Sequence, residues 1–145
     1  MNMRSAREDD GQALVEFSLA IFVFLFLMMA VFDFGRAIYQ YNGVAQAARE
    51  IARVTAVHSG SDFTTVAGQS TETRGVIATQ KSLIPNLQEP TIKCVKIDGT
   101  VIADRCIRGE WINVAIVAPY TPITPLLGLT GTWNLFSAST SVQLQ

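Results

Sequence analysis

Apolar and polar positions divide the chain into two unlike parts. Residues 1–11 are polar and charged, and the next charge after them is Glu16. Sixteen residues without a charge then run to Asp33, with Ser18 the one polar side chain among them. A helix needs roughly 20 apolar residues to cross a bilayer, and Gln12 to Phe32 supplies 21 if Glu16 is tolerated near one edge. Beyond Asp33 the helical pattern continues. Phe34, Ile38, Tyr41, Ala45, Ala48, Ala52 and Thr55 recur at spacings of three and four, one face of a helix. No Pro precedes Pro85. One helix of about 70 Å is therefore expected from Gln12 to His58, at roughly 1.5 Å per residue. Ser59-Gly60-Ser61 is its first stop signal.

The second part changes period. A shorter helix is expected from Phe63 or Thr71 to Leu83, with Val76, Ile77, Leu83, Ile84 and Leu87 on its apolar side and Pro85 ending it. Thr91 to Ile97 reads as a strand, Asp98-Gly99 as a hairpin turn, and Thr100 to Ile102 as the return. Trp111 to Ala118 alternates, with Ile112, Val114, Ile116 and Ala118 on one face; Trp133 to Val142 reads as the last strand. The fold class is α+β: a long N-terminal helix packed with a short helix on a small antiparallel sheet of three or four strands.

Composition sharpens this division. Six of the eight Phe lie between Phe17 and Phe34, so the 49% hydrophobic content averages a greasy helix with an ordinary domain. Eleven Lys and Arg against twelve Asp and Glu leave a net charge of −1, with no basic field to hold nucleic acid.

Three readings of the apolar segment compete. A cleaved secretory signal requires a small-residue cleavage site after the core, and here the run passes straight into DFGRAIYQYNG. A plain signal anchor explains the apolar run but not Glu16. The third reading places a cut before the run, after Gly11, and keeps the helix. Gln12 then carries a new α-amine and Glu16 is the fifth residue. A carboxylate in a membrane helix costs roughly 2.5–3.5 kcal/mol on insertion scales, so it usually has a partner or a function. The amine of one subunit could neutralise Glu16 of its neighbour when such helices bundle. The bland alternative is that Glu16 sits at headgroup level.

The run Gly11-Gln12-Ala13-Leu14-Val15-Glu16-Phe17 resembles the class III signal of pilin-like proteins. The longer stretch of residues 11–56 resembles the TadE-like minor pilins (pseudopilins) of tight-adherence, or Tad/Flp pilus, systems. The matching positions are Asp33, Gly35, Arg36, Tyr41, Asn42, Ala47, Ala48, Arg49, Glu50, Ala52 and Arg53. The C-terminal WNLFSASTSVQ also resembles the family's final strand. The resemblance implies a structural protein. Its residues 1–11 would be a cytoplasmic leader removed by a prepilin peptidase. Residues 12–34 would be the single pass through the inner membrane, and residues 35–145 an extracytoplasmic domain. Its partners would be the membrane, the peptidase, other pilin-like subunits and the Tad assembly machinery, and its destination a cell-surface pilus. Arg4 and Arg7 before the span do not outnumber Arg36, Arg49 and Arg53 after it, so the orientation rests on the resemblance. The alternative is a permanently anchored envelope domain, a binding module or adhesin without processing.

Little other chemistry is visible. Cys94 and Cys106 are expected to form a disulfide if the domain lies outside the cytoplasm, two free thiols being the alternative. The lone His58 is far from both in sequence, so no metal site is expected. There is no G-x-S-x-G, P-loop or C-x-x-C, and Asp98, Asp104 and Glu110 lie in turn-like, solvated stretches. No catalytic residues, cofactor, small-molecule substrate or enzyme activity are expected. The segment PYTPITPLLGLTG, with three of the five Pro, is expected to pack on its own domain, on a subunit or on the membrane surface.

Overall fold

In the computed structural model a single α-helix, α1 (Met3–Val57), makes up the N-terminal part of the chain. The structure describes residues 3–58, 62–63, 65–102, 106–124, 131–136 and 140–143, with side chains described from Gly11 onward except those of Trp133, Phe136 and residues 140–143. Helix α1 continues through Gly11, Gly35 and Gly43, each about 1 kcal/mol less favourable than Ala but none a stop. It ends at Val57, two residues before the expected Ser-Gly break, whose residues lie outside the described part.

Two stretches of α1 differ in what covers them. From Leu14 to Phe34 the large apolar side chains are exposed, save Phe26, which is half-buried. The most apolar window has a mean hydropathy of 2.6 and no buried residue, so this helix is long and apolar enough to cross a membrane. From Val44 onward one face is covered: Val44, Ala45, Ala47, Ala48, Ile51, Ala52 and Thr55 are buried. The expected face is thus half right. Its members Ala45, Ala48, Ala52 and Thr55 are buried, but Phe34, Ile38 and Tyr41 stay exposed because the covered side of that part of the helix runs through buried Asp33, half-buried Ala37 and Gln40, and Val44.

Helix α2 (Thr71–Leu83) starts where Ser70 accepts the Thr73 N–H on its side chain at 3.1 Å, a serine N-cap. Glu72 in the first turn and Lys81 in the last complement the helix dipole. Thr73 then donates to Thr55 on α1 at 3.3 Å inside the helix–helix contact, while Thr55 donates to the Ile51 carbonyl at 2.7 Å. Ile77, Ile84 and Leu87 are buried as expected; Leu83 is 69% exposed, since it falls on the outer side of the last turn.

The strands form two sheets. The first has the order β2-β1-β3-β6, built from β1 (Thr91–Val95), β2 (Val101–Ile102), β3 (Trp111–Ala115) and β6 (Thr140–Gln143); the second pairs β4 (Val117–Tyr120) with β5 (Trp133–Phe136). Every pairing is antiparallel. The β1–β2 hairpin forms where Asp98-Gly99 predicts it. Gly99 adopts φ 84, which a residue without Cβ accepts freely, and Asp98 Oδ1 takes the Thr100 N–H at 2.9 Å.

The expected strand Trp111–Ala118 is two strands. Ile112, Val114, Ile116 and Ala118 are all buried, yet the hydrogen-bond partner changes from β1 and β6 to β5 at Ile116. Alternation reports which way side chains point, not which strand lies alongside, so the switch leaves no trace in the pattern. The last strand divides likewise into β5 and β6, with residues 137–139 outside the described part.

Cys94 on β1 and Cys106 before β3 are joined by a disulfide, and both are buried. A bridge closing so short a loop stabilises by about 3 kcal/mol in the chain-entropy account. Replacing both cysteines by Ala should lower the unfolding free energy by about that amount, read from urea unfolding of the full chain in detergent. An unchanged midpoint would contradict a bridged native state.

Candidate functional site

The N-terminal residues singled out by sequence lie together on α1. Gly11, Gln12, Glu16 and Phe17 are all exposed, and Glu16 begins a surface that continues over Phe17, Leu19, Phe22 and Phe24 without cover from the rest of the chain. The helix does not break at Gly11.

A second site appears where the apolar run stops. Asp33 is 3% exposed, although its neighbours Phe32 and Phe34 stay open. The chain returns to it after almost ninety residues. Strand β4 ends in Tyr120, whose hydroxyl donates to the Asp33 main-chain carbonyl at 2.8 Å and approaches Oδ1 at 3.3 Å. The segment after β4 then turns its backbone to the carboxylate. The Ile123 N–H donates to Oδ1 at 3.1 Å and the Thr124 N–H to Oδ2 at 2.8 Å. Arg36, one turn along α1, pairs with Oδ1 at 3.4 Å and lies over the Tyr120 ring at 5.6 Å from its centre.

The arrangement ties the loop after β4 to the helix. Both carboxylate oxygens accept from donors of the loop. Burial raises the Tyr120 pKa, and the neighbouring Asp33 charge raises it further, so the phenol stays a proton donor across the ordinary pH range. Charge-assisted bonds from backbone N–H groups to a buried carboxylate are among the stronger hydrogen bonds. Asp33 therefore clasps the loop of residues 121–124 to the helix. Pro122 and Thr124 in that loop are buried, in line with packing on their own domain, while Ile123 is exposed. The remaining Pro125, Leu126, Leu127, Gly128 and Leu129 lie outside the described residues.

The other marked residues separate into two faces. Ala47, Ala48 and Ala52 are buried within this chain, so their small size serves the approach of α1 to its own sheet. Gly35, Tyr41, Asn42, Arg49 and Arg53 are exposed, with Arg53 paired to Glu50 at 3.4 Å. Glu110 departs from the expected solvated turn. It is buried beside the disulfide and its Oε2 accepts the Ile107 N–H at 2.9 Å, fixing the turn that leads into β3. One carboxylate oxygen and the two sulfurs lie within 4.8 Å of one another, but sulfurs bonded to each other are not thiolate ligands. Asp104 lies outside the described residues. His58 is exposed at the end of α1.

Gly11, Glu16, the apolar run, Asp33, Arg36 and the buried alanines follow one another along one helix. Residues 11–53 match the TadE-like protein family. No curated protein and no solved structure matches the chain. The TadE-like stretch lies wholly within α1, under a third of the chain, so α2 and both sheets fall beyond it. It includes Asp33 but none of the residues that grip it from the far end. In the sequence Asp33 is a position of the family resemblance with no task visible for it. The signal was a lone carboxylate directly after sixteen uncharged residues; the partners Tyr120, Ile123 and Thr124 carry no pattern that points back to it.

Proposed function

We propose that this chain is a structural subunit of the minor-pilin type, taking part in assembly of a Tad/Flp-type adhesion pilus. A prepilin peptidase cuts it after Gly11 on the cytoplasmic side. The retained helix, within residues 12–34, holds it in the inner membrane, and the domain from residue 35 onward stands outside. Removing residues 1–11 takes away two bases and three acids, which leaves nine of each and a neutral mature chain. The observation that carries this reading is the TadE-like match over an apolar helix face that the chain's own domain leaves uncovered. Such a face needs lipid or neighbouring helices, and a subunit that passes from one to the other meets both needs. The same match weighs against an enzyme, and the clasp at Asp33 fits a subunit whose domain must keep its pose on the helix.

Mass spectrometry of the mature protein tests the proposal. The expected N-terminus is Gln12. A chain beginning at Met1, or at a residue beyond the apolar run, would overturn it. Gly11→Leu should leave the leader attached; a permanently anchored binding domain would not register that change.

A further inference from the structure

We propose that Ile123 is a second membrane contact, seated at the boundary between headgroups and acyl chains beside the point where α1 leaves the bilayer. The inference rests on the proposed membrane span. An exposed Ile alone carries little, because single apolar side chains are common on protein surfaces. Its position carries the argument. Phe32 is the last residue of the uncharged run and Asp33 follows it, one helical rise of about 1.5 Å further along. The Ile123 N–H is bonded to the Asp33 carboxylate at 3.1 Å, so the Ile123 backbone is fixed at the depth where the run ends. The hydrocarbon core is about 30 Å thick and the whole bilayer about 40–45 Å, which leaves an interfacial layer of several ångströms on each side. Ile123 falls within that layer, and its side chain is 71% exposed there.

The surroundings suit the same occupant. Phe32 and Phe34 are exposed on α1 at this level, so helix and loop both present apolar side chains at one depth. Arg36 stands one turn outward with a side chain 51% exposed, where a cation meets lipid phosphates. Buried Pro122 and Thr124 flank Ile123, and the Asp33 bonds hold the loop, so the side chain is presented from a fixed backbone. With one helix and one loop touching the bilayer, the domain has a defined tilt against the membrane.

The test places an environment-sensitive nitrobenzoxadiazole label on Ile123→Cys in the full chain. The protein is reconstituted in vesicles of phosphatidylcholine and phosphatidylglycerol carrying a lipid spin-labelled near the headgroup end of its acyl chain. Ile97→Cys serves as the solvent reference. Ile97 is exposed in the β1–β2 turn, and the Val95↔Trp111 pairing puts that turn at the far end of the β3–β4 path from Tyr120. Phe24→Cys, in the middle of the apolar run, reports the span itself. The expected result is quenching at position 123 several-fold stronger than at 97, with blue-shifted emission. Quenching at 123 no greater than at 97, while position 24 is quenched by a mid-chain label, overturns the contact and leaves the span standing. Absence of quenching at 24 overturns the span and the contact with it.

Discussion

Asp33→Ala should lower the melting temperature of the full chain by roughly 10–15 °C in detergent, the largest effect expected of any single change outside the hydrophobic core. Three donors lose their acceptor at once: the Ile123 and Thr124 amides and part of the Tyr120 hydroxyl's bonding. Each buried donor left unpaired costs roughly 1–3 kcal/mol, and a domain of this size loses about 2–4 °C per kcal/mol. Tyr120→Phe removes one donor and leaves both amide bonds, so a loss of only about 2–4 °C is expected. Asp33→Asn should fall close to Ala. Donors converge on both oxygens, so whichever way the amide turns, its NH2 faces a donor. Thermal unfolding followed by circular dichroism separates the three variants. Hydrogen exchange at Ile123 and Thr124 should quicken in Asp33→Ala. If Asp33→Ala and Tyr120→Phe melt together, the carboxylate is not what holds the loop.

That clasp shows where sequence reading stops. Periods of 3.6 and 2 carry local information, and here they placed α1, α2, the Asp98-Gly99 hairpin and the buried face from Ile112 to Ala118. They are silent about what lies opposite. Phe34, Ile38 and Tyr41 share a stripe with Ala45 and Ala48, yet only the alanines are covered, because towards the apolar run the covered row shifts to Asp33, Ala37 and Gln40, one position around the helix. The change of partner at Ile116 is invisible for the same reason: the side-chain alternation runs on through it. The turn residues around Glu110 predict a solvated side chain, and only the fold shows its carboxylate bonded to a backbone N–H beside the disulfide. Asp33 is the sharpest case. Its isolation after an uncharged run marks it as unusual, but its partners lie some ninety residues away in a Pro-rich loop, and the family match ends at residue 53. The N-terminal candidates were legible for the opposite reason. The roles proposed for Gly11, Glu16 and Phe17 rest on a linear order along one helix, which a sequence displays directly.

Glu16→Ala should leave cleavage after Gly11 intact and still reduce incorporation into the pilus by at least tenfold. The two outcomes separate because the charge is costly in one setting and useful in the other. In the membrane a carboxylate near the helix centre costs roughly 2.5–3.5 kcal/mol, less near an edge. Removing it makes the helix at least as stable in lipid, so the variant should accumulate there. In an assembled bundle the proposed partner is the α-amine of Gln12 on a neighbouring subunit, and tenfold corresponds to about 1.4 kcal/mol. A pair of opposite charges held at about 4 Å is worth several times that at an effective dielectric near 20. Glu16→Gln is the sharper variant. It keeps the size and hydrogen-bonding capacity but not the charge, so it should fail with Ala if pairing is what matters. Cleavage is read by mass spectrometry of the N-terminus and incorporation by the amount of protein in sheared surface fractions relative to the membrane. Normal incorporation of both variants would remove charge pairing from the assembly step and leave Glu16 as a residue at headgroup level.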